Sequence, residues 1–258
     1  MSLPDWQQGL WVASTLLRVG VCYLALKHGL FGRLPLFTSY LVGAALRELS
    51  WWAVARYAGY DADFSFYFYW WTQLSVVALR GLAIAEVCRG ILEPFRGVWA
   101  LGWRCLAVVA LILLAVAGLS AQANRQFLVD FIPTLDRGLE LAAMTVLVGL
   151  LLFCRWYGIG VDPPYWQVTM GLAFYSGVQF FNAAMMQALP GELVWWNSIR
   201  IISYMVALGM WGQAVLKPLP SAPAPPDLLT QEDYDRLAPA VNARLRELND
   251  RLLRLLKR

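Results

Sequence analysis

The sequence predicts an all-α integral membrane protein. The expected form is a bundle of seven transmembrane helices with its N-terminus outside and its C-terminus cytoplasmic, followed by a Pro-rich linker and a C-terminal amphipathic helix. Three observations predict it. Of 258 residues, 59% are hydrophobic and 15% charged, against about 45–50% apolar and about 25% charged in ordinary soluble domains. The apolar residues gather in runs of about 20, the length that crosses hydrocarbon as a helix. Basic residues gather between alternate runs, as they do in cytoplasmic loops. The composition argues against a soluble enzyme, a disordered chain and a disulfide-stapled secreted module. The net charge of +4 does not point to nucleic acid, because the basic excess sits beside the runs and in the tail.

The seven runs cover residues 9–26, 34–57, 64–88, 98–119, 132–154, 166–189 and 193–216. Each break has a physical cause. Gly29, Gly32 and Pro35 part the first pair, and Gly59, Asp61 and Asp63 the second. Pro94 and Gly97 stop the third run, because proline cannot continue a helical hydrogen-bond ladder. Residues 124–130 form a polar outer loop, and Gly158, Gly160, Asp162, Pro163 and Pro164 the next turn. Pro190, Gly191 and Glu192 make so short a turn that the last two helices should be antiparallel neighbours. Residues 1–8 lack the basic flank of a signal peptide, so the first run reads as a retained helix.

Orientation follows from charge. Lys27, Arg33, Arg89, Arg96, Arg104, Arg155 and Lys217 fall on one side, and only Arg56 and Arg125 on the other. That asymmetry places the C-terminus inside a bacterial cytoplasmic membrane. Cys22, Cys88, Cys105 and Cys154 share the cytoplasmic half, show no paired metal-ligand spacing and read as buried thiols. Trp51, Trp52, the aromatic run 64–71, Trp195 and Trp196 mark the outer interface. Trp99, Trp103, Trp156, Tyr157 and Trp166 mark the inner one.

Ionisable groups inside the spans carry the functional expectation. Arg18, Arg47, Glu48 and Arg80 lie near mid-span, Glu86 lies closer to the cytoplasm, and Arg137, Glu140 and Arg200 lie in outer halves, with Gln73, Gln179, Asn182 and Asn197 as neutral polar groups. A central arginine costs about 2.5–3.5 kcal/mol on insertion scales, so these side chains should turn inward and find partners. Arg18–Glu48 and Arg80–Glu48 are candidate pairs. Glu140 has Arg200 or its near neighbour Arg137. One reading is a structural ion-pair network. The other is a polar cavity in which Arg18, Arg47, Arg80 and Arg200 exceed Glu48 and Glu140, inviting an anionic or amphiphilic ligand onto their planar guanidinium groups. The expected ligand set is Arg18, Arg47, Glu48, Arg80, Glu140, Asn182 and Arg200.

Other chemistries lack their residues. Microbial rhodopsins share a seven-helix plan but need a lysine in the seventh helix, where this chain has Arg200 and no lysine before Lys217. With His28 as the single histidine, bis-His haem and His-rich zinc sites are out of reach. There is no G-x-S-x-G, P-loop or dinucleotide fingerprint at a fitting junction. The expectation is a non-enzymatic protein without a cofactor.

The domain reading is 1–216 membrane bundle, 217–227 Pro/Ala linker and 228–258 cytoplasmic helix. Val241, Leu245, Leu248, Leu252 and Leu255 recur at heptad spacing. They offer a face for self-association or a protein partner, while the flanking arginines offer docking on lipid headgroups. The stripe resembles the short signalling helices of membrane sensors, and the whole plan resembles bacterial seven-helix sensors in architecture, without a shared motif. Three functions follow as expectations: a sensor coupled to a partner through the tail, a transporter or channel for an anion or small organic acid, and an accessory or scaffold subunit of a membrane complex.

Overall fold

The structure, a computed structural model, describes residues 5–59, 62–93, 95–121, 127–189, 193–216 and 239. Among the described residues there are seven α-helices, one 3-10 turn and no strand. The helices are α1 (Asp5–Lys27), α2 (Pro35–Ala58), α3 (Asp63–Leu92), α4 (Arg96–Ser120), α5 (Phe127–Trp156), α6 (Pro163–Ala188) and α7 (Leu193–Leu216), with the 3-10 turn at Leu30–Gly32. Four are long and apolar enough to cross a membrane, over Trp6–Lys27, Gly97–Ser120, Phe127–Trp156 and Val194–Leu216. This is the make-up of an α-helical membrane protein. By contacts the chain divides into Met1–Pro218 and Leu219–Arg258, and all seven helices belong to the first unit. The linker and tail helix expected at 217–258, with Val241, Leu245, Leu248, Leu252 and Leu255, lie outside the described residues, Pro239 apart.

The ends of the helices obey local chemistry. Pro35 opens α2 with its φ preset for a helix, and Pro163 and Pro164 do the same for α6. Gly29 and Gly59 sit in the turns after α1 and α2 at φ 69° and 85°, a region that side chains with a Cβ avoid. No side chain of the α2 start caps it locally. Its orphan amides are met from α3 instead, where Leu36 N and Phe37 N donate to the two Glu86 carboxylate oxygens at 3.0 and 2.8 Å. A carboxylate there satisfies donors and complements the positive end of the helix dipole.

Two sequence expectations are corrected. Residues 127–130, assigned to a polar loop, form the first turn of α5, so Pro133, near the N-terminal end of the run expected at 132–154, lies inside the helix. At the seventh position it removes one hydrogen bond, from residue 133 to the residue 129 carbonyl, from the helical ladder. Cys22, Cys88 and Cys154 are buried as expected, but Cys105 is exposed on α4.

The helices close into a ring. α1 packs on α2 and α7, α2 on α3, α3 on α5, α5 on α6, and α6 on α7. α3 also touches α4 and α6, and α4 lies outside the ring against α5 and α3. The short connection after α6 does make α6 and α7 neighbours. α4 carries exposed Leu101, Val108, Leu111, Ile112, Leu114 and Leu119, an apolar surface suited to hydrocarbon.

Trp211 of α7 is fully buried and anchors the centre. Phe37 and Tyr40 of α2, Tyr175 of α6 and Tyr204 of α7 meet its ring edge-on, with centroids 5.4, 6.2, 6.5 and 6.0 Å away. Such contacts add to the area the rings bury. Gly171 of α6 makes room, since a Cβ there would collide with the Trp211 indole. Gly171→Ala is therefore expected to cost about 1–3 kcal/mol by overpacking. Gly118→Ala on α4, where nothing lies within 4 Å of the added atom, should be neutral or stabilising. Thermal midpoints of both variants in the same detergent check the contrast.

Candidate functional site

Two charged clusters occupy the bundle. The first joins α3 to α5. Arg80, 5% exposed, donates from Nη1 to Glu140 Oε1 at 2.5 Å and from Nη2 to Asp136 Oδ1. Asp136 and Glu140 are four residues apart, so one helix face presents both carboxylates to one guanidinium fork. Gln73, seven residues before Arg80 on α3, donates from Nε2 to Asp136 Oδ2 at 3.5 Å. Ser176 of α6 lies near Glu140. With both carboxyls ionised, one guanidinium and two carboxylates leave the cluster one surplus negative charge. Glu140 Oε2, Ser176 Oγ and Arg80 Nε are buried without a protein partner.

The second cluster joins α1 to α2 and α7. Arg18 Nη1 donates to Glu48 Oε2 at 2.9 Å and to the Ala44 carbonyl at 3.2 Å. Its Cζ lies 4.5 Å from the centre of the Tyr204 ring. Trp11 Nε1 donates to Glu48 Oε1 at 2.6 Å. A carboxylate, a carbonyl and an aromatic face replace part of the water that the guanidinium has lost, while Arg18 Nε is buried without a partner. This cluster is neutral. An aromatic bridge links the two: Tyr204, beneath Arg18, meets Tyr175 edge-on at 5.3 Å, and Tyr175 lies within the field of Arg80 and Glu140.

The remaining expected site residues are scattered. Arg47 is half-buried and stacks over Tyr69 at 4.9 Å. Asn182 is buried at 2% exposure, with Nδ2 3.7 Å from Met186 Sδ and Oδ1 unpartnered. Arg200 is exposed on α7, so it does not serve Glu140. Arg137 does not serve it either. With the Gln187 amide oxygen turned toward it, Arg137 donates at 2.5 and 3.2 Å to that residue. Glu48 takes Arg18, leaving the alternative Arg80–Glu48 pair unformed.

Sequence reasoning missed Asp136, and this omission reversed the charge count. Its i, i+4 spacing to Glu140 was the available signal, since two carboxylates on one face within a span call for a cation on the neighbouring helix. Trp11, Ser176 and Tyr204 were also missed, having only neutral side chains to mark them, whereas Gln73 was noted as a neutral polar group within the spans and left out of the expected ligand set. A cavity of about 260 Å³ is present, but none of the expected ligand residues lines it. It lies between α3, α4 and α5.

No protein-family model, characterised protein or solved structure matches the chain.

The geometry predicts an asymmetry. Arg80→Met leaves two buried carboxylates facing each other and should cost about 3–5 kcal/mol. Glu140→Gln keeps Arg80 paired with Asp136 and should cost about 1–2 kcal/mol. Arg200→Gln, at an exposed position, should stay within about 0.5 kcal/mol. Unfolding of the three variants in one detergent ranks them, and equal losses for Arg80 and Arg200 would refute the pairing.

Proposed function

We propose that this chain is a non-enzymatic seven-helix membrane protein of the sensor or receptor type, in which the Arg80 cluster is the switch and the tail after Leu216 is the output. In this reading all seven helices span a bacterial cytoplasmic membrane, N-terminus outside and C-terminus inside. The lengths of α2, α3 and α6, at 24, 30 and 26 residues, suit spanning. Their polar residues suit helices surrounded partly by protein. The basic residues between alternate helices support the orientation.

The observation that carries the reading is Arg80 held between Asp136 and Glu140. Apolar residues of similar volume would join α3 to α5 at lower cost, because buried ion pairs rarely add net stability. A charged lock differs from an apolar contact in having two discrete states. Neutralising or drawing away one partner penalises the closed arrangement, and an interface of this kind switches instead of deforming smoothly. The surplus carboxylate also redefines the effector. With Arg18 and Arg80 paired inside the protein, an anion at the arginines has little to recommend it. A proton or other cation competing with Arg80 for Asp136 and Glu140 suits the charge.

The same surplus supports a second reading, transport, with a proton or cation as the moving species. One preparation separates the two. Full-length protein with Cys105→Ser and Ser221→Cys, labelled with an environment-sensitive fluorophore, is placed in proteoliposomes with and without Asp136→Asn plus Glu140→Gln. The sensor reading expects the label's emission to differ between the two forms without ion flux in either. Identical emission would overturn it. Proton or cation flux that the paired substitution abolishes would establish transport instead.

A further inference from the structure

Glu140 and its surroundings carry more polar atoms than the protein satisfies. Among the described residues, Glu140 Oε2, Arg80 Nε, Ser176 Oγ, Gln179 Nε2 and Asn182 Oδ1 are buried without a protein partner. Ser176 and Asn182 are as deeply enclosed as Glu140, at 0, 2 and 4% exposure. Bare buried polar atoms are costly, and internal water is their usual partner. The set is mixed in character. Glu140 Oε2 and Asn182 Oδ1 accept, Arg80 Nε and Gln179 Nε2 donate, and the Ser176 hydroxyl does both. A metal cation would meet the donors, and an anion would meet the acceptors. Water donates and accepts, and so fits every member.

These atoms follow a line along α6. Tyr175 marks the central face of that helix by its ring contacts with Tyr204 and Trp211, and Ser176 marks the face toward Glu140. Helix residues turn by about 100° each, so Gln179 lies about 40° from Tyr175 and about 60° from Ser176, and Asn182 about 20° from Tyr175. All three polar residues therefore lie on the inward side. Each is about 4.5 Å along the axis from the next, a step that one water bridges with hydrogen bonds of about 2.8 Å. Asn182 stands six residues before the end of α6 at Ala188. At that end of the bundle α1 and α7 begin, their Trp6 and Trp195 rings 6.2 Å apart. Gln7 and Trp196 beside them each bury an unpartnered atom, Oε1 and Nε1.

The opposite direction is apolar. One turn beyond Ser176 on the same face stands Leu172, and one turn further Val168, both fully buried. Leu34, Phe37, Leu41 and Leu208 share one core with them and with Trp211. Thr38, Gln167 and Trp211 keep an unpartnered atom each on that side, but the polar line on α6 stops at Ser176. Water needs polar partners at each step, and leucine, valine and phenylalanine offer none.

The charged and titratable groups about Glu140 are Arg80 of α3, Asp136 of α5, Tyr175 of α6 and Tyr40 of α2. The ionisable groups of α4, Arg96, Arg104 and Cys105, lie in its first ten residues, toward the far end. Of the groups about the cluster, the two ionised carboxyls are the ones that can gain a proton. We propose that an internal water file runs along Asn182, Gln179 and Ser176 to Glu140, open to the end of the bundle where α1 and α7 begin and closed at the other by the Trp211 core, so that Glu140 exchanges protons with one side only. In the orientation proposed above that side is the outer one. The supply of a proton to a switch rests on the function proposed above, while the water file stands on geometry alone.

X-ray radiolysis tests the water file, because the hydroxyl radicals it makes from internal water oxidise the side chain beside that water. Full-length protein with Ser176→Cys, a one-atom exchange, is irradiated in detergent, and mass spectrometry reads oxidation at each residue. Native Cys88 and Cys154, buried at 3 and 1% exposure, are the dry references. The thiol at position 176 should oxidise about tenfold faster than either, since it alone has water beside it, and adding Asn182→Leu should remove the difference. If Ser176→Cys does not fold, Gln179→Cys carries the same comparison. Equal rates at the probe and at the two references would overturn the proposal. A second readout separates it from the switch. In the protein with Cys105→Ser and Ser221→Cys, labelled as above, a pH jump should change the emission, and Asn182→Leu should slow that change about tenfold. An unslowed change in a folded Asn182→Leu protein would reveal another proton route and refute the one-sided supply. Oxidation as expected, with emission that ignores pH, would refute the switch and leave the water file established.

Discussion

A guanidinium group cannot discard its charge, and this fact organises the interior. A buried carboxyl can accept a proton, but an arginine keeps its charge and five donors wherever it is placed. Once Arg80 stands on the inner face of α3, the helix opposite must bring acceptors. α5 brings two, from Asp136 and Glu140. Arg18 imposes the same demand on α1, met by Glu48 and the Ala44 carbonyl of α2 and by the Tyr204 ring of α7. Each pairing fixes which helix is the neighbour and at which rotation. Apolar packing alone, being non-directional, would leave the rotation less determined.

Between the clusters lies an aromatic centre in place of a continuous polar channel. Tyr204 takes part in both systems, with its face toward Arg18 and its edge toward Tyr175 and Trp211. A shift of Arg18 would therefore disturb the packing around Trp211, which also touches Phe37 and Tyr40 of α2. The α2 start is in turn held by Glu86 of α3. Arg80 and Glu86 are six residues apart, so α3 holds α5 through one and α2 through the other. This is spatial continuity between α1, α2, α3, α5 and α7. Energetic coupling along it is a separate matter that double-mutant cycles would measure.

The helices themselves were plain in the sequence because length and apolarity are one-dimensional properties. Runs of about 20 apolar residues ended by Gly59, Pro94 or Pro190 need no partner to be recognised. Rotation about the helix axis was not plain. Arg200 and Glu140 were both expected in outer halves and so as partners, yet Arg200 is exposed and Glu140 is buried. Cys105 was taken for a buried thiol because its depth matched Cys88, though α4 turns it out. In a membrane the sequence contrast between inside and outside weakens, because both faces of a helix are apolar. Rotational phase then shows only where charges share a face, as Asp136 and Glu140 do.

The distribution of charge then acquires a consistent sense. Inside, the Arg80 cluster has one carboxylate too many. Outside, Arg89, Arg104 and Arg155 are exposed, and Arg89 lies 3.7 Å from Glu93. A surplus cation at a headgroup surface is cheap, because water and anionic lipid both receive it. A surplus anion in the core is costly, because solvation there must come from the few neighbouring donors. Gln73 supplies one to Asp136, while Glu140 Oε2 lacks a partner near the equally unpartnered Ser176 hydroxyl. If helix placement were the whole purpose, Arg80 with Glu140 alone would have served, and the second carboxylate would only add cost. Asp136 is thus the residue that a purely structural account leaves unexplained, and that a proton- or cation-responsive lock requires.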